Sequence, residues 1–137
     1  MKVRRAVAVA LHNNQGMILV ARRSQLVDEF KGDWSLPSRF YESEQSDVVT
    51  LQASLLDWFQ IRSESWRLIG ERLAKRPHWE LSMRVYSAVA LSEPALDGWK
   101  YDAAKWVNGR QFFGRADYSL LGDCAKTYLD HANKVKD

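Results

Sequence analysis

The sequence predicts an α/β domain, and two kinds of apolar pattern indicate it. Residues 3–11, 17–21 and 78–91 form short apolar or alternating segments, which are typical of β-strands. Residues 46–60 and 118–133 carry apolar residues at three- and four-residue spacing, which is typical of amphipathic α-helices. Predicted strands on both sides of the helix at residues 46–60, together with a second helix at residues 118–133, favour one mixed α/β domain.

The first part of the chain predicts a central strand and its neighbour. Residues 3–11 are apolar on both faces, as expected for a strand that is covered on both sides. Residues 13–16 read Asn-Asn-Gln-Gly, which is a turn composition, and residues 17–21 then form a second strand in a hairpin with the first. Residues 25–33 are a polar loop.

The middle of the chain predicts strand, loop and helix between residues 31 and 61. Ser46 is a good N-cap residue for a helix over residues 46–60. The apolar stripe of this helix consists of Val48, Leu51, Leu55 and Phe59.

The last part predicts strands at residues 66–73, 78–91 and 105–107, a turn at residues 108–109, and a terminal helix at residues 118–133. The strand at 78–91 has the clearest alternation. Its two faces consist of Trp79, Leu81, Met83, Val85, Val89 and Leu91 on one side, and His78, Glu80, Ser82, Arg84 and Tyr86 on the other.

Composition excludes several classes of protein. The 137 residues are 46% hydrophobic and 27% charged, and we expect a single globular domain over residues 1–137. No apolar run reaches the length of a transmembrane helix. The single cysteine, Cys124, and the absence of a Cys/His cluster indicate a cytoplasmic protein without structural zinc. The net charge of +3 suits an anionic ligand, and the sequence contains no specific nucleic-acid-binding motif.

The segment from residue 31 to residue 61 resembles the signature of the MutT-like Nudix superfamily. It reads KGDWSLPSRFYESEQSDVVTLQASLLDWFQI, and its Trp-Ser-Leu-Pro lead-in, its acidic Glu42 and its length from Pro37 to Ile61 agree with the family pattern. Nudix proteins are hydrolases of nucleoside diphosphates linked to another moiety. The resemblance implies an α/β/α sandwich, with a mixed, curved sheet between helices 46–60 and 118–133 and a substrate cleft beside the signature loop.

The chemical positions of the family pattern, including most of its metal-holding carboxylates, are replaced in this sequence. The replacements are Ser38 and Arg39 for two loop glycines, Gln45 for the first signature Glu, Ala53-Ser54 for Arg-Glu, Asp57-Trp58 for Glu-Glu, and Gln60 for the final Gly. In the family these helix carboxylates surround Mg²⁺, which prefers oxygen ligands. The sequence therefore predicts a Nudix fold whose signature is degenerate.

Three carboxylates remain as candidate metal ligands and catalytic residues. Glu42 and Glu44 lie in the loop, and Asp57 lies on the helix. Together they would hold Mg²⁺ or Mn²⁺ in an active enzyme, with Glu71 or Glu80 as more distant replacements. The alternative is that all three are solvated. Glu42 and Glu44 would then lie near a helix N-terminus, which favours negative charge, and Asp57 would occupy a solvated helix position.

Four residues are candidates for ligand binding. Arg39 would contact a phosphate or project into solvent. Trp58 would stack on a base, or pack against the loop or a partner chain. Glu80 and Arg84 would line the cleft or form the polar outer face of their strand.

These observations support three hypotheses. The first is a divergent Nudix-fold protein that binds a nucleotide-like or other anionic diphosphate ligand, with weak or no hydrolysis. The second is an active, Mg²⁺-dependent pyrophosphohydrolase of a nucleoside diphosphate derivative, using Glu42, Glu44 and Asp57. The third is a structural or protein-interaction module that forms a homodimer.

Overall fold

A computed structural model describes residues 2–26, 32–41, 45–96 and 98–134. The described chain forms a seven-stranded sheet with helices on both faces. The strands are β1 (Lys2–His12), β2 (Ile18–Arg23), β3 (Trp34–Ser35), β4 (Ser38–Tyr41), β5 (Ser63–Lys75), β6 (Trp79–Ala90) and β7 (Tyr101–Val107). The helices are α1 (Asp47–Phe59), α2 (Gly109–Gly114) and α3 (Asp123–Lys134). None of these helices is long and apolar enough to cross a membrane.

β1 is the organising strand of a mixed sheet. It pairs in parallel with β6 along its whole length and antiparallel with β4, where Val7 lies opposite Arg39. β6 pairs antiparallel with β5. β2 pairs antiparallel with β1, where Ile18 lies opposite His12, and it also pairs antiparallel with β3 and β7. Helices cover both faces of the sheet where β1 pairs in parallel with β6. This explains why β1 is apolar on both faces.

Alternate residues of β1 enter two separate cores. Val7 and Val9 pack with α1 through Leu51 and Leu55 on one face of the sheet. On the other face Ala6, Ala8 and Ala10 pack with residues of α2 and α3, including Phe113, Cys124, Tyr128 and Leu129. The predicted α/β/α sandwich is therefore confirmed.

Both ends of α1 are defined by specific backbone contacts. The Ser46 hydroxyl accepts a hydrogen bond from the Val49 amide at 3.1 Å, as the N-cap prediction requires. Gln60 ends the helix in the left-handed conformation, with φ of 54°. Glycine serves best at such a position, which accounts for the glycine that the family pattern has there.

Two predictions for the C-terminal part are wrong. Asn108 and Gly109 do not form a turn, because the Asn108 side chain accepts a hydrogen bond from the Gln111 amide and caps α2. The terminal helix begins at Asp123, because residues 118–120 form a separate 3-10 turn capped by Asp117. Both errors come from short capped elements, whose few residues show no periodicity.

Gly109 is packed so closely that a side chain there would collide with α3. A Cβ atom would overlap the Tyr128 hydroxyl and lie 2.7 Å from Ile18 Cδ1. Gly109→Ala is expected to lower the free energy of unfolding by about 1–3 kcal/mol, measured by urea denaturation. Gly114→Ala is the control in the same helix, because no described atom lies within 4 Å of its Cβ position. Equal stabilities of the two variants would contradict the packing described here.

Candidate functional site

A cavity of about 290 Å³ lies at the end of α1, where β2, β4 and the segment before β7 meet. Three basic and three aromatic residues line it, and these are Arg23, Arg39, Lys100, Phe40, Trp58 and Trp99. None of these six described residues is a carboxylate. The cavity therefore combines positive charge with aromatic surface, which suits an anion that carries a ring.

Arg39 is held against α1 by hydrogen bonds. β4 places it beside β1, and its Nη1 donates to Ser54 Oγ at 3.0 Å. Its Nε donates to the Phe40 carbonyl at 3.3 Å. Ser54 is buried, and its hydroxyl donates to the Thr50 carbonyl at 2.9 Å. These hydrogen bonds hold the Arg39 guanidinium against α1 in the cavity.

Lys100 also lines the cavity and is less exposed than Arg39. Its Nζ donates to the Ser38 carbonyl at 2.6 Å and lies 3.9 Å from the centroid of the Trp58 ring. Burial, reinforced by Arg23 and Arg39, lowers the pKa of Lys100 to about 6. The carbonyl and the indole face favour the ammonium form, whereas burial and the two guanidiniums favour the neutral amine.

Trp58 belongs to the core as well as to the cavity wall. It is only 8% exposed and packs edge-to-face on Tyr101, with ring centroids 5.4 Å apart. Lys100 lies over its ring. Trp99, in contrast, is 62% exposed at the cavity rim. Trp99 is therefore the indole that offers open aromatic surface to a ligand.

Arg84 takes part in an ion-pair network instead of lining this cavity. Its Nε contacts Glu71 Oε1 at 2.9 Å, and its Nη1 contacts Asp47 Oδ2 at 3.4 Å. Asp47 is 5% exposed and also accepts a hydrogen bond from the Tyr86 hydroxyl at 2.6 Å. Burial and the adjacent carboxylate raise the pKa of Tyr86 to about 12. The network connects the first turn of α1 to β6 through Asp47, and none of its residues is among those that line the cavity.

Comparison with known proteins shows a likeness of fold. No family model matches the chain, and no curated protein matches it in sequence. The MutT protein from Methanosarcina mazei Go1 superposes with a TM-score of 0.73 at 14% identity, over 97% of this chain and 92% of that one. The MutT Nudix hydrolase from Burkholderia pseudomallei superposes with a TM-score of 0.68 at 18% identity, over 80% of this chain and 85% of that one.

The chain has the Nudix fold. A structure from a study of MutT from Aliivibrio salmonicida and Vibrio cholerae agrees, with a TM-score of 0.70 at 14% identity, over 98% of this chain and all of that one (100%). The resemblance of the signature segment is thereby confirmed at the level of the fold. In this Nudix fold, α1 is the helix that carries the signature residues.

Among the described residues of the Nudix signature, the structure shows no group of side chains that could hold a metal ion. Ser54 and Trp58 stand at two carboxylate positions of the family pattern, and Arg39 and Lys100 contact them. Asp57 is exposed on α1, and among the described residues no three His, Cys, Asp or Glu side chains cluster. Glu42 and Glu44 lie outside the described residues. The described signature residues by themselves do not supply the several oxygen ligands that Mg²⁺ needs.

The structure brings two of the four predicted ligand-binding residues together. Arg39 and Trp58 line the cavity. Glu80 lies opposite Lys75 near the start of β6, in the register of the β5–β6 pair, and is not among the residues that line the cavity. Four lining residues were not predicted from the sequence, and these are Arg23, Phe40, Trp99 and Lys100. Only the basic pair at residues 22–23 offered a signal for one of them.

Proposed function

We propose that this Nudix-fold protein binds the diphosphate of a nucleotide-like anion in the cavity, without a divalent metal and with weak or no hydrolysis. One observation carries the proposal. The side chains at two carboxylate positions of the family pattern, Ser54 and Trp58, are in contact with a guanidinium and an amine instead of facing open space for an ion. A guanidinium and an amine thus lie beside the positions where the family pattern has metal ligands.

The charge of these groups suits the proposed ligand. A guanidinium presents parallel N–H donors that match phosphate oxygens in a bidentate arrangement, and two arginines line the cavity. Lys100 adds a further positive charge whenever it is protonated. Together these groups neutralise a diphosphate that Mg²⁺ would otherwise neutralise.

The aromatic residues suit the remainder of such a ligand. Trp99 presents its exposed ring at the rim, beside the three cations. Stacking on an aromatic ring is worth about 1–3 kcal/mol per base and tolerates different bases. The proposed arrangement therefore places the diphosphate inside the cavity and the base at its rim.

The proposal is tested by calorimetric titration with ADP-glucose, a nucleoside diphosphate sugar, in the presence of either Mg²⁺ or a chelator. Because protein cations hold the diphosphate, the Kd is expected to agree within about twofold between the two conditions. Product analysis over the same period is expected to show little or no cleavage. Binding that requires Mg²⁺, or turnover that Asp57→Ala abolishes, would instead support the pyrophosphohydrolase that uses Glu42, Glu44 and Asp57.

The affinity for ADP-glucose is expected to rise as the pH falls from 8 to 5.5. Burial and the two guanidiniums hold the pKa of Lys100 at about 6 in the empty cavity. An anion beside the amine favours the ammonium form, so binding takes up a proton, and the gain reaches about 10-fold for each unit by which the ligand raises this pKa. ADP-glucose suits the titration because its diphosphate is substituted at both ends and keeps a constant charge.

Lys100→Met is the control for this pH dependence. The variant lacks the titrating amine, so its affinity is expected to be lower at pH 5.5 and to vary little with pH. A wild-type affinity that stays constant across this range would show that Lys100 does not gain a proton on binding.

A further inference from the structure

Lys100 is positioned as a reactive amine as well as a binding group. Its Nζ is held by the Ser38 carbonyl at 2.6 Å and by the face of Trp58 at 3.9 Å, so the end of a flexible side chain has a defined place. The same residue lines the 290 Å³ cavity, which gives a small molecule access to it. Lysines that react with carbonyl compounds are found in such desolvated sites beside other cations.

The electrostatic surroundings favour the form of the amine that reacts. Nucleophilic attack needs the unprotonated nitrogen, and an exposed lysine is almost entirely protonated at neutral pH. Burial, Arg23 and Arg39 lower the pKa of Lys100 to about 6, so most of its amine is neutral at pH 7. The groups that face Lys100 are the Ser38 carbonyl, the Trp58 and Tyr101 rings and the two guanidiniums.

The two arginines define which carbonyl compound would enter. Arg23 and Arg39 line the cavity together with Lys100, and guanidiniums recognise phosphate through paired hydrogen bonds. A phosphate held by these arginines would bring an attached aldehyde into the same small cavity as the amine. Holding both reactants in one site converts a bimolecular reaction into an effectively unimolecular one.

We propose that Lys100 forms a reversible imine with a phosphorylated aldehyde. The Nζ lone pair attacks the carbonyl carbon, a C–N bond forms, and a proton moves from nitrogen to the former carbonyl oxygen. The resulting carbinolamine loses water, which leaves a C=N bond. The step consumes one amine and one aldehyde, releases one water molecule, and involves no oxidant or reductant. It rests on the same cavity as the proposed function.

The test uses pyridoxal 5′-phosphate as the probe, at pH 7, with borohydride to reduce any imine to a stable amine. Peptide mass spectrometry then locates the phosphopyridoxyl group. Lys100 is expected to be labelled at least ~10-fold faster than any other lysine, because each unit by which the pKa falls toward pH 7 raises the free-amine fraction about tenfold. Pyridoxal without the phosphate is expected to label Lys100 more slowly, and ADP-glucose is expected to compete.

Matched variants separate a reactive amine from general surface labelling. Lys105 is exposed, lies on the adjacent strand β7, and has its Nζ 4.5 Å from the centroid of the Trp34 ring. Lys105→Met is expected to leave the fast labelling unchanged, whereas Lys100→Met removes it. Because Lys100→Met could also fail to fold, the pH dependence of labelling by pyridoxal is measured at Lys100 in the wild type. Its half-maximal rate is expected near pH 6, because pyridoxal carries no phosphate that would raise the pKa of Lys100.

Uniform labelling of all lysines, or equal rates for pyridoxal and its phosphate at Lys100, would overturn the proposed imine. This failure is distinguishable from failure of the proposed function. If ADP-glucose binds without metal and Lys100 is not labelled, only the imine is wrong. If Lys100 is labelled selectively and ADP-glucose neither binds nor competes, the imine stands and the nucleotide-like ligand is wrong.

Discussion

Replacement of Phe59 by alanine is expected to lower the free energy of unfolding by about 3–5 kcal/mol. Phe59 is fully buried at the end of α1, where its ring stacks on Tyr101 with centroids 5.3 Å apart and Trp58 packs edge-to-face against it. Deleting the ring leaves a cavity between α1 and the sheet. The total stability of such a domain is about 5–15 kcal/mol, so a large fraction would be lost.

Urea denaturation followed by circular dichroism measures this effect, and Leu56→Ala is the control. Leu56 lies on the same helix and is 46% exposed, so its truncation removes less buried surface. We expect a cost below about 1 kcal/mol for this control. Similar costs for both variants would show that the aromatic cluster at the end of α1 does not stabilise the fold in the way described.

Arg39→Ala is expected to weaken binding of ADP-glucose by about 10- to 100-fold, because a hydrogen bond to a charged group contributes about 1.5–3 kcal/mol. Arg39 is hydrogen-bonded to Ser54 of α1, and it lines the cavity together with Phe40 and Trp58. Arg39→Glu is expected to weaken binding further, since it reverses the charge. Calorimetric titration in the presence of a chelator measures both variants.

Two controls make this prediction specific. Arg115→Ala removes the same charge from the end of α2, on the opposite face of the sheet, and is expected to leave the affinity unchanged. Thermal unfolding of Arg39→Ala separates loss of binding from loss of structure, because Arg39 also bonds Ser54. Unchanged affinity in a folded Arg39→Ala protein would remove Arg39 from the binding site.

The fold was predictable from the sequence where local signals are strong. The strands β1 and β6 and the helix α1 follow from apolar spacing and from the Ser46 cap, because these signals depend on neighbouring residues only. The short elements β3, β4 and α2 carry no such signal, since two to six residues do not show a period. Instead, β4 is defined by its pairing with β1, β3 by its pairing with β2, and α2 by its packing against α3.

The candidate site was predictable only in part, and for a physical reason. Arg39 and Trp58 could be predicted because both lie within the signature segment, where the family pattern indicates which positions face the cleft. Arg84 lies on the predicted strand, but Asp47 and Glu71 engage it in ion pairs that sequence spacing does not reveal. A charged side chain is placed by its partners, and these partners come from other segments.

By itself, the sequence determined an α/β/α Nudix fold and the replacement of carboxylates along α1, because both depend on residue types at short spacing. The tertiary structure decided which basic side chains lie next to these replaced carboxylate positions. The β2–β7 pairing places Arg23 opposite Tyr101, and the Ser24 amide donates to the Lys100 carbonyl at 2.9 Å. Residues far apart in the sequence thereby enter one cavity with Arg39 and Trp58, and their combined charge and burial exist only in the folded chain.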